Sequence, residues 1–162
     1  NPQTPKKLVF SYAKMTMASV LFVPEPKTIL VIGLGGGTLP MAFHRLFNQT
    51  TIHAVEIDTA VVKVAKKYFD LIENDQIKVF SQDGRVFTKR AKAKSLKYDL
   101  IILDAFNGDY IPEHLMTREY LQENRSILST NGLLASNTFS TSALYDHESE
   151  TYAFTIAWRF WI

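Results

Sequence analysis

Hydrophobic positions along this chain follow two alternating patterns from about residue 28 onward. Continuous or nearly continuous apolar runs, bounded by polar or glycine residues, predict strands that are buried on both faces of a sheet. Five segments are predicted to be strands, at 28–33, 51–57, 76–81, 98–103 and 133–137, and the apolar run is unbroken in 28–33 and at 100–103. The stretches between them place apolar residues three and four positions apart, which predicts amphipathic helices.

Several helices have recognisable start signals. Asp58 or Thr59 is expected to cap a helix, and Thr117 a later one that carries apolar residues as far as Leu128. Asn131 and Gly132 then predict a turn into the last strand. Alternating strands and helices predict the α/β class, with a Rossmann-like, doubly wound, mostly parallel sheet in a three-layer α/β/α arrangement.

Domain organisation is expected to be simple, since 162 residues make one ordinary domain. We place an N-terminal lead-in helix or segment at 1–27 and the Rossmann-like domain at 28–162, and truncation of that domain at both ends stays an open alternative.

Composition removes several classes of function. With no cysteine in the chain, disulfide frameworks, thiolate zinc sites and cysteine nucleophiles are excluded, and the expected location is cytoplasmic. A formal charge of +2 is too small to favour a nucleic-acid partner. No apolar run reaches the roughly 20 residues of a membrane helix, and the four histidines show no metal-ligand spacing, so neither a membrane segment nor a metal is expected.

Chemistry-bearing residues stand where the predicted strands end. The first strand leads into the glycine-rich turn 33–37, and Glu56, Asp83 and Asp104 follow the second, third and fourth strands. In a parallel sheet these ends meet at one edge, where ligands bind. Two of these features have a simpler alternative, which is a tight turn for the glycines and a helix cap for Asp83. Together they predict a pocket for an adenosine that carries a cationic tail.

The same residues resemble those of a known family. The segments Val31–Leu39, Val55–Asp58, Asp83–Arg85 and Tyr98–Asp104 are similar to the motifs of the spermidine synthase (polyamine aminopropyltransferase) family. That family belongs to the S-adenosylmethionine-dependent methyltransferase fold class. The resemblance covers roughly residues 8–140 and is specific in combination.

This resemblance implies a function and a set of ligands. The expected donor is decarboxylated or intact S-adenosylmethionine, the expected acceptor is a polyamine such as putrescine, and a homodimer is a further implication. Glu56 would hold the ribose, Asp83 with Gly84 the adenine, and Asp104 the amino group of the donor's side chain. The implied donor-binding residues are Gly33, Gly35, Gly37, Glu56, Ile57, Asp83, Gly84, Asp104 and Ala105.

The chain departs from the family at two places. Gly35 stands where the family's glycine motif has an aspartate, and Asn107 stands where the family has the aspartate that accepts a proton from the attacking amine. An amide cannot accept that proton, so Asp109 is the expected replacement, with Asp104 as the other catalytic residue. Tyr12, Asn107 and His114 are expected on the substrate side.

Two other functions remain open on the same fold. A methyltransferase would use intact S-adenosylmethionine and would need a hydrogen-bond donor near the glycine turn for the ligand's carboxylate. A non-catalytic adenosyl-binding module is favoured by Asn107. The basic stretch at 89–97 is expected to be a solvated helix face, and His53 to have a packing or surface role and not to bind a metal.

Overall fold

A five-stranded parallel sheet forms the centre of the molecule, in a computed structural model that describes residues 11–106 and 110–138. The strand order is β3–β2–β1–β4–β5, and every neighbouring pair is parallel. The strands are β1 (Thr28–Ile32), β2 (Thr51–Glu56), β3 (Ile77–Ser81), β4 (Tyr98–Leu103) and β5 (Leu128–Ser136). The predicted doubly wound, parallel topology is therefore confirmed.

Helices cover both faces of this sheet. They are α1 (Ser11–Met17), α2 (Thr38–Leu46), α3 (Thr59–Tyr68), α4 (Gly84–Ala93) and α5 (Arg118–Ser126), with short 3₁₀ turns at Ala18–Leu21 and Glu113–Leu115. The helix expected within 1–27 is present as α1. No helix in the described part of the chain is long and apolar enough to span a membrane.

Alternating residues of the strands pack into two separate hydrophobic cores, one on each face of the sheet. Ile29 and Val31 of β1 pack under α1, α2 and α3, whereas Leu30 and Ile32 pack under α4 and α5. All four side chains are at most 2% exposed, as period-two alternation in a sheet covered on both faces requires. The three-layer α/β/α arrangement follows directly.

Three helices begin where a polar side chain satisfies a free amide. Asp58 accepts from the amide of Ala60 at 2.7 Å and so caps α3, while Thr117 caps α5 through the amide of Tyr120. Asp83 caps α4 by accepting from the amide of Val86 at 2.9 Å. The cap expected from the sequence at Thr117 is confirmed, and of the two alternatives at 58 and 59 the structure uses Asp58.

The end of α5 and the start of β5 differ from the prediction. The helix stops at Ser126, so extending it to Leu128 was wrong. Leu128 instead pairs with Tyr98, and the next pair is Leu133 with Leu100, so the expected turn at 131–132 is an irregularity inside one strand. Pairing with β4 overrides the local turn signal at this point.

Of the packing and surface roles expected for His53, the structure shows packing. Its Nδ1 lies 2.7 Å from the Tyr98 hydroxyl, and its ring makes edge contacts with Phe80 and Phe87. Burial, and next the charge of Lys78, lower the pKa of this imidazole. A neutral ring therefore fills the space between β2, β4 and α4.

Asp99 fastens the start of β1 to β4. Its Oδ2 accepts from the amide of Lys27 at 2.8 Å and from the amide of Thr28 at 3.1 Å. Burial tends to raise the pKa of this carboxyl. Hydrogen bonds from Ser129, Lys27 and Thr28 outweigh burial and lower the pKa.

We expect Asp99→Ala to lower the free energy of unfolding by about 1–3 kcal/mol at neutral pH, because two amides lose a charged acceptor. Since the folded-state pKa is depressed, this contribution is complete above the unfolded pKa of about 3.9 and is lost as pH falls through the folded value. Urea titrations over a pH series measure it. Asp75→Ala, at an exposed position, is the control, and equal losses in the two variants would contradict the role of Asp99.

Candidate functional site

A cleft opens at the carboxyl ends of the strands, where the strand order reverses between β1 and β4. Its volume is about 1090 Å³, enough for a nucleoside with an extended side chain. Ten residues predicted from the sequence line it: Tyr12, Gly33, Gly35, Glu56, Ile57, Asp83, Gly84, Asp104, Ala105 and His114. The structure therefore brings the strand-end residues to one place, as parallel topology requires.

One other predicted site residue does not join this group, and two more lie outside the described residues. Gly37 is not among the lining residues, and a Cβ at this position would lie 3.0 Å from the Leu71 side chain. Asn107 and Asp109 lie outside the described residues, as do residues 139–162. Their roles remain predictions.

Gly33 allows two strand ends to approach each other closely. Its φ is +98°, and a Cβ there would lie 2.2 Å from the backbone oxygen of Asp104. Around it, the amide of Asp104 donates to Ile32 O at 2.7 Å and the amide of Gly33 donates to Val55 O at 2.8 Å. The floor of the cleft is thus backbone held in register by three strands, with no room for a side chain.

Glu56 holds the glycine turn. Its Oε2 accepts from the amide of Leu34 at 3.1 Å, and its Oε1 accepts from the amide of Asp58 at 3.0 Å. A carboxylate offers about four acceptor positions, so each oxygen keeps one for a ligand hydroxyl. The geometry fits two ribose hydroxyls beside a fixed backbone turn.

Asp83 and His114 meet on the cleft wall. The Nε2 of His114 lies 2.7 Å from Oδ2 of Asp83, while Oδ1 of Asp83 caps α4. Burial tends to raise the pKa of the Asp83 carboxyl, but the amide of Val86 and the His114 ring together outweigh it and lower the pKa. Asp83 is therefore a carboxylate, an acceptor suited to an amino group.

Asp104 is the most strongly perturbed acid of the cleft. Burial raises its pKa to about 6, against a weaker opposing effect of the hydrogen bond from Asn137. Asn137 Nδ2 donates to Oδ1 of Asp104 at 2.8 Å. Tyr12 lines the same cleft, and burial, and next the charge of Asp104, raise the pKa of its phenol. A carboxyl with this pKa can take up a proton near neutral pH.

The sequence interpretation missed Asn137 and several apolar lining residues. Asn137 follows β5, and its amide donates to Leu103 O at 2.9 Å, which places the side chain beside Asp104. Its position at a fifth strand end was a usable signal. Leu34, Val61 and Phe106 also line the cleft and offer an apolar surface against which a purine can pack.

The charge of the lining is strongly one-sided. Among the described lining residues, four carry carboxylates (Glu56, Asp58, Asp83 and Asp104), and none is lysine or arginine. In the same described part of the chain, no group of three acidic, histidine or cysteine residues could hold a metal ion. The cleft therefore suits an organic cation that has a nucleoside portion.

These residues fit an adenosyl ligand on structural grounds. Gly35 leaves backbone uncovered at the turn, since a Cβ there would have nothing within 4 Å, so space remains above it for a ligand. Glu56, Asp83 and Asp104, for which we expect ribose, adenine and ammonium contacts from the sequence, all line this cleft.

Comparison with known proteins gives one family and two groups of relatives. The family model for the spermine/spermidine synthase domain matches residues 9–153. A polyamine aminopropyltransferase of Vibrio vulnificus is 52% identical over 91% of this chain and 49% of its own length. The eEF1A lysine and N-terminal methyltransferase of Bos taurus is 34% identical over 72% of this chain and 18% of its own length.

A solved structure has the same fold. Human methyltransferase-like protein 13, determined in complex with SAH, superposes with a TM-score of 0.80 at 26% identity, and the match covers 90% of this chain and 73% of that one. The fold is thus of the S-adenosylmethionine-dependent methyltransferase type. The chain spans about half the length of the Vibrio relative.

Proposed function

Since this chain belongs to the spermine/spermidine synthase family, we propose that its cleft binds decarboxylated S-adenosylmethionine and transfers the aminopropyl group to an amine of a polyamine such as putrescine. The 52% identical relative bears the name polyamine aminopropyltransferase, which supports this assignment.

The observation that carries the proposal is the acidic lining of the cleft. Decarboxylated S-adenosylmethionine has a sulfonium and an ammonium group and no carboxylate, and polyamines are cations as well. Four carboxylates without a lysine or arginine among the described lining residues attract such ligands, and low-dielectric walls strengthen the attraction.

Each part of the donor has a residue of matching chemistry. Glu56 accepts from the ribose hydroxyls, Asp83 accepts from the adenine amino group, and Asp104 meets an ammonium group. Ile57 and Ala105 contribute apolar contact along the same wall. When bound, the donor supplies a sulfonium whose neighbouring carbons are electrophilic. The protein's task is to place a neutral amine in line with the propyl carbon next to sulfur, so that the nitrogen–carbon bond forms as that carbon–sulfur bond breaks and the neutral adenosyl thioether leaves.

Among the described residues, we assign Asp104 as the group that accepts the proton from the attacking amine. A polyamine nitrogen must lose a proton before it attacks, and Asp104, whose carboxyl group has a pKa of about 6 in the free protein, is a carboxylate at neutral pH that can accept it. Asn137 holds Oδ1 and so fixes the orientation of the carboxyl group. Asp109 and the substrate-side positions Tyr12, Asn107 and His114 remain part of the proposal on sequence grounds.

A methyltransferase is the second candidate, favoured by the 34% identical eEF1A methyltransferase. Intact S-adenosylmethionine carries a carboxylate in addition to its ammonium group. In this chain the carboxylate would depend on backbone amides of the glycine turn, since the described lining offers no lysine or arginine.

Calorimetric titration separates the two candidates. We expect the protein to bind decarboxylated S-adenosylmethionine about tenfold or more tightly than the intact form, because the added carboxylate lies among like charges. Glu56→Gln should weaken both ligands, since it changes the ribose contact that they share. Tighter binding of intact S-adenosylmethionine would favour methyl transfer, and binding of neither would overturn both candidates.

We also propose a cytoplasmic location and a homodimer. The absence of cysteine from all 162 residues suits a reducing compartment, and the dimer rests on the family resemblance. Size-exclusion chromatography with light scattering tests the dimer.

A further inference from the structure

His114 contacts Asp83, a residue of the cleft that caps α4 without any help from His114. Asp83 already satisfies the start of α4, because its Oδ1 accepts from the amide of Val86 at 2.9 Å and its backbone oxygen accepts from the amide of Phe87 at 3.0 Å. The second side-chain oxygen, Oδ2, meets Nε2 of His114 at 2.7 Å. This contact lies on the cleft wall, since both side chains line the cleft.

A separate set of contacts holds His114 in this place. Arg85 forms two hydrogen bonds with Glu123, at 3.0 and 3.1 Å, which ties α4 to α5. The same guanidinium donates from Nη1 to the backbone oxygen of His114 at 3.4 Å. Leu115, the next residue, is buried at 6% exposure. The 3₁₀ turn Glu113–Leu115 is thus anchored on both sides of the cleft-facing ring.

We propose that His114 is a positioning residue that makes the cleft selective for adenine, by holding Asp83 as an oriented acceptor for the 6-amino group of the purine. This inference rests on the proposed function, because it assumes that an adenosyl ligand lies against Asp83. It goes further by assigning the recognition of the base to a pair of residues 31 positions apart in the chain.

The physical argument concerns the ionisation and direction of one carboxyl group. Burial favours the neutral acid, and a neutral acid could donate as well as accept, so it would distinguish purines poorly. A hydrogen bond from Nε2–H of His114 favours the carboxylate and fixes Oδ2, which leaves one acceptor position on that oxygen for a ligand. The lowered pKa of Asp83 agrees with this arrangement.

The test compares two uncharged ligands that differ only at position 6 of the base. Adenosine carries the amino group, and purine riboside carries hydrogen in its place. We expect the wild-type protein to bind adenosine about tenfold more tightly, as for a hydrogen bond to a charged group. In His114→Leu this ratio should fall to about twofold, and His114→Gln, which keeps an N–H donor, should restore most of it.

Two further variants make the result specific. Glu113→Gln changes an exposed neighbour on the same 3₁₀ turn and should keep the wild-type ratio. Asp83→Asn keeps an oxygen for the α4 cap but removes the carboxylate, and should lose the ratio. Thermal unfolding of each variant confirms that it is folded before its affinities are compared.

The outcomes distinguish the role of His114, the adenine contact of Asp83 and the proposed function. If His114→Leu weakens both ligands equally, or keeps the wild-type ratio while Asp83→Asn loses it, the role of His114 is overturned and that of Asp83 stands. If the wild type itself shows no preference, the adenine assignment fails together with this inference. The proposed function would still stand in that case if decarboxylated S-adenosylmethionine binds in the calorimeter.

Discussion

Replacing Asp104 by asparagine should abolish most aminopropyl transfer while leaving the protein folded and more stable. The expected loss in kcat/KM is about 10²–10⁴-fold, the range in which a positioned general base contributes. Asparagine keeps the oxygen that accepts from Asn137, so the local hydrogen bond survives. It cannot take a proton from an ammonium group, and it offers no charge to a cationic ligand.

The pH dependence follows from the same carboxyl group. Because the pKa of Asp104 is about 6 in the free protein, wild-type kcat/KM should fall as pH decreases through that value, where the base becomes protonated. In Asp104→Asn this acidic limb should be absent from whatever activity remains. Initial rates with decarboxylated S-adenosylmethionine and putrescine, measured between about pH 5 and pH 8, provide the test.

Stability should change in the opposite direction. A carboxyl group whose folded pKa is raised to about 6 from 3.8 stabilises the fold below its unfolded pKa, and this contribution is lost as pH rises through the folded value. At neutral pH the variant should therefore exceed the wild type by about 2–3 kcal/mol. Asp75→Asn, at an exposed position, is the control. A variant that is less stable, or fully active, would contradict the role of Asp104.

Local patterns in the sequence were sufficient for the sheet and for most of the cleft. The run 100–103 is continuous and apolar because both faces of β4 are covered there. Glu56, Asp83 and Asp104 could be grouped because parallel strands bring their carboxyl ends to one edge. In these cases the burial of a strand and the position of a strand end depend on the topology of the sheet, and the order of strands and helices in the sequence indicates that topology.

Contacts between distant segments were not predictable in the same way. Asn137 and Asp104 are 33 positions apart, and the geometry of their hydrogen bond depends on the register of β5 against β4. That register includes an irregularity between Tyr98 and Leu100, which the turn residues at 131–132 did not indicate. Local propensity is a weak guide where strand pairing decides the outcome.

Gly33 and Gly35 look alike in the sequence, but the structure gives them different surroundings. A Cβ at position 33 would lie 2.2 Å from Asp104 O and 2.9 Å from the amide nitrogen of Ala105, whereas a Cβ at position 35 would have nothing within 4 Å. Both residues have positive φ, +98° and +51°. The second value is in the left-handed helical region that other residues adopt at moderate cost, and the first is outside it.

We therefore expect Gly33→Ala to lower the free energy of unfolding by about 3–5 kcal/mol, the sum of overpacking against backbone and of backbone strain. Backbone at a strand end cannot rotate away as a side chain can. To admit a methyl group, β1 and β4 must separate, which breaks the 2.7 Å hydrogen bond from the Asp104 amide to Ile32 O. The same movement would displace the Asp104 carboxyl group, so binding of a cationic adenosyl ligand should fail even in the fraction that folds.

Gly35→Ala is the matched control, with an expected loss of about 1 kcal/mol from the left-handed conformation alone. Urea unfolding compares the stabilities of the two variants. Titration with decarboxylated S-adenosylmethionine then shows how each substitution changes binding of the donor. Gly35→Ala should fold well and bind the donor more weakly, because its methyl group enters the space above the turn where a ligand approaches bare backbone. If the two variants unfold at the same urea concentration, the contact between Gly33 and Asp104 is not the rigid feature that places the carboxyl group of the cleft.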